Sequence, residues 1–122
     1  MILHKLVLSK EYKEVMRKHL QIQLEGLYKI DIESGSLRAI KASAGISVIK
    51  SILGKLNKNP RSRIVKLTMD EINVAQAHLS AQYSAVGELL GNNLTDTFGN
   101  SKNDYQILGP LLVMLEGIQD KN

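Results

Sequence analysis

The sequence predicts an α+β protein, mostly helical, in which a two-stranded ribbon is covered by about four helices. Three observations lead there. In Ile64–Leu79, IVKLTMDEINVAQAHL, apolar residues alternate as far as Leu67 and then recur every three to four positions. Thr68 marks the change and is followed three residues later by Glu71. This is the capping-box spacing, in which hydroxyl and carboxylate each satisfy an orphan backbone N–H. Fifty-nine residues upstream, Lys5–Leu20, KLVLSKEYKEVMRKHL, repeats the pattern, with Ser9 standing where Thr68 stands.

At that offset Leu8 matches Leu67, Val15 matches Val74, His19 matches His78 and Leu20 matches Leu79. The apolar positions of Leu24–Ile30 fall on those of Tyr83–Leu89, and those of Ile46–Leu56 on those of Tyr105–Leu115, with no insertion. The chain is therefore read as one domain, 1–122, made of two pseudo-repeated strand–helix–helix units at about 1–59 and 60–122. Strands Ile2–Leu8 and Ile64–Leu67 are expected to pair about a pseudo-twofold axis. Two strands alone are marginal in water, so the helices must supply most of the core.

The first helix is expected over Ser9–Ile30, with Val15, Met16, Leu20, Leu24 and Leu27 as its buried stripe. A rival reading ends it near Leu24 and makes Leu27–Ile32 a strand, because LYKIDI alternates. Glu33–Ser36 is a turn cluster, and a second helix starts near Ser36 and runs to about Leu56. Small residues over Lys41–Gly45 allow close helix approach, and Gly45 is a point at which that helix could split. Asn57–Arg63 is the clearest loop, since Pro60 cannot lie inside a helix and drives Asn59 towards extended geometry. Thr68–Leu90 is the third helix, stopped by Gly91-Asn92-Asn93, with Asp70 and Glu71 at the positive end of its dipole. Leu94–Asn103 reads as polar and irregular. Tyr105–Ile118 is the last helix, with a start or bend near Gly109-Pro110 and fraying over Gln119–Asn122.

Hydrophobic content of 43% and charged content of 23% exclude a wholly disordered chain. The absence of cysteine excludes disulfides, thiolate metal sites and a cysteine nucleophile. Met1–Leu8 is apolar, but His4 and Lys5 interrupt it and a charged stretch follows, so no targeting segment is predicted. No apolar run is long enough to span a bilayer, and the expected location is the cytoplasm. Asn93-Leu94-Thr95 has the form of a glycosylation acceptor and is read as coincidence without a signal peptide.

Charge is divided unevenly. Residues 1–66 hold fourteen lysines and arginines against five acids, a net +9, while residues 67–122 hold two against seven, a net −5. Lys10, Lys13, Arg17 and Lys18 decorate the first helix, and Lys55, Lys58, Arg61, Arg63 and Lys66 surround the loop. Cations on a helix beside a basic arm are what phosphate-backbone binding needs, through counterion release. The expected function is therefore a small non-enzymatic regulatory or accessory protein, homodimeric, that binds nucleic acid through Lys10, Lys13, Arg17, Lys18, Lys58, Arg61 and Arg63. The alternative is an inhibitor or adaptor that docks on an acidic protein surface. A third reading is a small-molecule sensor with a pocket between the repeats. Few aromatics are present, so no base-stacking platform is expected.

No phosphate loop, GxSxG elbow, GxGxxG fingerprint or HExxH pair occurs, and no cofactor, metal or catalytic residue is assigned. His19 and His78 are expected at the rim of the buried face, bonded to backbone carbonyls. Ile107–Ile118 is apolar on most sides, which leaves open a core helix or one face of an isologous homodimer.

Overall fold

Among the described residues, two four-residue strands and four long helices make up the fold. The structure, a computed structural model, describes residues 2–30, 34–93 and 98–121. Strands β1 (His4–Val7) and β2 (Ile64–Leu67) pair antiparallel, with His4 opposite Leu67, Lys5 opposite Lys66, Leu6 opposite Val65 and Val7 opposite Ile64. The Leu8 N–H donates to the Arg63 carbonyl at 2.7 Å and extends the ladder by one rung. The first strand is shorter than the predicted Ile2–Leu8, and its partner explains why. Continuing the register would set Leu3 against Thr68, whose N–H already donates to Glu71 Oε1 at 2.8 Å. With no ladder to join, Ile2 and Leu3 stay exposed.

Each strand runs directly into a capped helix. Ser9 Oγ accepts from the Tyr12 N–H at 3.1 Å and starts α1 (Lys10–Tyr28). Thr68 Oγ1 accepts from the Glu71 N–H at 3.1 Å, and with the returning Glu71 carboxylate it completes the capping box of α3 (Met69–Gly91). The same carboxylate accepts from Ser51 at 2.8 Å and from Lys55, both on α2 (Leu37–Lys58), so this cap also fastens two helices together. Thr68→Ala removes the cap oxygen and is expected to cost about 1 kcal/mol. Urea unfolding with an unchanged slope checks this, and a midpoint identical to the parent contradicts it.

Ser36 caps α2 through the Ala39 N–H at 3.1 Å. The helix runs unbroken past Gly45, where an added Cβ would lie 3.2 Å from Leu27 Cδ1. The small residues therefore serve close packing of α1 on α2, not a break. The rival strand at Leu27–Ile32 is not seen over its described part, since Leu27 and Tyr28 close α1. Asp31–Glu33 and Leu94–Thr97 lie outside the described residues, and with them parts of the predicted strand, turn, irregular stretch and glycosylation triplet.

The last helix, α4 (Ser101–Asp120), begins four residues before the predicted Tyr105 and continues on both sides of Gly109-Pro110, so it does not start there. Pro110 and Gln106, whose carbonyl the proline leaves without its helical donor, are both exposed, so water can satisfy that oxygen. Helix α3 packs on α4 and α1 on α2, with α3 also against α1 and α2. The inner ribbon face (Leu6, Leu8, Val65, Leu67) closes over Met16, Leu20, Ile49, Ile52, Ile72, Leu79, Leu108 and Leu111 in one core. Ile107, Leu108, Leu111, Leu112 and Leu115 of α4 are buried, and Val113 is the large apolar residue it exposes, at 70%. Burial within the chain thus accounts for the apolar surround of this helix.

Candidate functional site

The basic loop is held on α1 by a lysine. Lys13 is buried, and its Nζ donates to the carbonyls of Asn59 at 3.0 Å and Ser62 at 2.9 Å. The Ser62 N–H donates to the Asn59 carbonyl at 3.1 Å, closing a turn around Pro60-Arg61, and Ser62 Oγ accepts from the Ile64 N–H at 3.1 Å. The turn is therefore anchored at both ends. Arg61 and Arg63 project from it exposed.

Lys10, Arg61 and Arg63 border one hollow of 420 Å³ together with Pro60 and Ser62. On the other side of the loop Lys55, Lys58 and Lys66 border a second hollow of 400 Å³. Among the described residues no acidic side chain lines either. Lys5 stands directly opposite Lys66 on the outer ribbon face, where paired like charges repel. Arg17 is exposed, with Nη1 reaching Asn57 Oδ1 at a long 3.4 Å.

Four of the seven predicted positions, Lys10, Lys58, Arg61 and Arg63, therefore gather around the loop, and Arg17 adjoins it. The other two are engaged within the chain. Lys13 faces inward as the anchor, and Lys18 Nζ pairs with Asp104 at 2.7 Å. Lys5, Lys55 and Lys66 join the surface although they were not assigned to it. The signal for Lys66 was its outward place in an alternating strand; Lys5 needed the strand register.

Neither histidine is seen bonded to a backbone carbonyl as predicted, and His78 alone sits at the rim of the buried face. His19 is fully buried: its Nε2–H donates to Asp104 Oδ2 at 2.7 Å, and its Nδ1 meets Gln82 Oε1 at 2.7 Å. Phe98 lies edge-on to it at 5.9 Å. His78 is half-buried, and its Nδ1–H donates to Gln23 Oε1 at 2.8 Å. Each imidazole thus reaches a glutamine of the other half. The prediction missed this because Asp104 lies in the first turn of α4, just ahead of the Tyr105 start that the sequence predicted. His19 has both nitrogens engaged and no exposed surface, and through Asp104 and Gln82 it joins α1 to α4 and α3.

Among the described residues, the hydrogen bond with Tyr105 raises Tyr83, and two groups that titrate at lower pH also depart from their ordinary values. Burial pushes the Glu71 carboxyl up, but hydrogen bonds from Lys55, the Thr68 N–H and Ser51, with the Lys55 charge, outweigh it and hold the pKa below 4.5. Burial holds His78 below 6.5. Both are depressed in the folded state, so the unfolded chain binds more protons as pH falls. Stability is expected to be full above pH 6.5, to decline below it through His78, and to decline again below 4.5 through Glu71. Urea midpoints measured across this range check the profile. His78→Gln should flatten its upper limb, and an upper limb that survives this change refutes the assignment.

No protein-family model matches the chain, and neither the curated proteins nor the solved structures provide a match. Among the described residues no helix is long and apolar enough to cross a membrane.

Proposed function

We propose that this chain is a small, non-enzymatic nucleic-acid-binding protein that holds a phosphodiester backbone on the loop Asn59–Arg63 and the adjoining outer face of the ribbon. The observation that carries this reading is the pair of hollows around one loop, bordered by Lys10, Arg61 and Arg63 on one side and Lys55, Lys58 and Lys66 on the other, with no acid among the described residues of either lining. The Lys13 anchor holds the loop in shape, so little ordering entropy is lost on binding. The Lys5–Lys66 repulsion across the ribbon is relieved when an anion lies between them. Contacts of this kind read charge and backbone path, not sequence.

Fluorescence anisotropy with labelled duplex DNA and single-stranded RNA tests it. Log affinity should fall linearly with log salt, by about 0.9 per phosphate neutralised on duplex DNA and about 0.7 on a single strand. No binding at low salt defeats the proposal. Co-purification of a protein partner that survives nuclease treatment would instead favour an acidic protein surface.

We also infer that the two halves are copies of one strand–helix–helix unit related by a pseudo-twofold axis. Leu6 and Val65, which face each other across the ribbon, are 59 residues apart. Shifting the rung Lys5–Lys66 by that offset returns the rung Ile64–Val7, as a twofold axis requires. Caps Ser9 and Thr68 keep the offset. So do the reciprocal pairs His19–Gln82 and His78–Gln23. Buried Ala42, Ile49, Ile52, Leu53 and Leu56 of α2 correspond to Ser101, Leu108, Leu111, Leu112 and Leu115 of α4. Gly45 corresponds to Asp104. A Cβ at Gly45 would lie 3.9 Å from His78 Nε2. Gly45→Asp should therefore pair with His78 as Asp104 pairs with His19, and raise the His78 titration midpoint. An NMR titration that leaves His78 unmoved in this variant removes the equivalence.

A further inference from the structure

We infer that the recess beside His78 is a binding site for a small carboxylate with an apolar chain. It has a volume of 470 Å³, within the ordinary range for ligand sites, and lies between the end of α1 and the start of α2. Its apolar walls come from Leu27, Ile30, Leu37 and Ala42. Arg38, Lys41 and His78 supply its polar groups, and no acid is among the described residues that line it. Neither Arg38 nor Lys41 forms a salt bridge among the described residues. The first turn of α2 carries no acid either, so the positive end of the helix dipole adds to the same field.

The argument for a carboxylate comes from the other half of the molecule and rests on the equivalence of the two units. There, Asp104 is held by His19 Nε2 at 2.7 Å and Lys18 Nζ at 2.7 Å. Here, the Nδ1–H bond to Gln23 fixes the His78 ring and leaves Nε2 turned towards Gly45, which has no side chain to meet it. The first unit thus lacks the carboxylate that the second unit supplies from its own helix, and Arg38 and Lys41, which pair with no acid among the described residues, stand at the recess. Leu37, at 67% exposure, offers an apolar surface at the same recess, against which a hydrocarbon tail can lie. None of the residues assigned to the phosphate-binding loop lines this recess, so either site can fail without the other.

Octanoate is the probe, added to the whole chain and followed through the His78 imidazole resonances by NMR. The expected result is a saturable shift with a raised His78 titration midpoint. Octanol, with the same tail and no charge, should bind roughly tenfold more weakly or worse. Arg38→Gln with Lys41→Gln should weaken octanoate to a similar extent, about tenfold. Gly45→Asp should abolish the octanoate response, because its own carboxylate fills the place. The inference is overturned if octanoate produces no saturable shift, if octanol binds as tightly, or if a folded Gly45→Asp variant, its His78 midpoint already raised, binds octanoate unchanged.

Discussion

Asp104→Ala is expected to destabilise the protein by about 1–3 kcal/mol, the range for leaving a buried donor without its acceptor. The cost is not shared evenly between the two donors that lose their acceptor. Lys18 is 35% exposed in its side chain, so its ammonium can turn into water at little cost. His19 has no exposure and keeps its place between α1, α3 and α4, so its Nε2 is left with no acceptor in the core. Asp104→Asn retains an oxygen acceptor and should cost less. Replacing both partners, His19→Leu with Asp104→Leu, should recover much of the loss, because no polar group is then stranded. Urea unfolding of the three variants decides the matter. A loss for Asp104→Ala below about 1 kcal/mol would show that the network is not what joins these helices.

What was legible in the sequence was what neighbouring residues decide. Ser9, Ser36 and Thr68 start helices at the predicted residues because a cap is made within one turn of chain. Pro60 fixed the loop for the same reason. The start of α4 was illegible because Asn100 provides no side-chain cap bond, and because Ser101 and Asp104 are polar residues buried by long-range packing. The partners of Asp104 lie 85 and 86 residues away, and no local periodicity reports them. The shortened β1 is another long-range effect, set by where its partner strand becomes a helix. Lys13 is a different case, since its position was readable. It precedes Met16 by three residues and Leu20 by seven, the spacing of the buried stripe, so it could have been set apart from Lys10. Its role could not be read, because the two carbonyls it holds lie 46 and 49 residues along the chain.

That division yields the strongest test of the proposed function. Arg61→Ala with Arg63→Ala removes two exposed guanidinium groups from the loop tip and should weaken duplex DNA binding about ten- to a hundredfold at low salt. The salt slope should shrink by about two, since each lost phosphate contact releases one fewer counterion. Lys13→Met should behave differently. It removes a charge that faces two carbonyls, not the ligand, so affinity should fall through a loosened loop while the slope stays near that of the parent. Lys102→Ala, a cation of the acidic half, should change neither quantity. If the double arginine variant keeps its affinity and slope, phosphate is not bound at this loop. If Lys13→Met instead loses as much slope as the arginine pair, Lys13 contacts phosphate itself. The anchored turn would then not be the arrangement that binds.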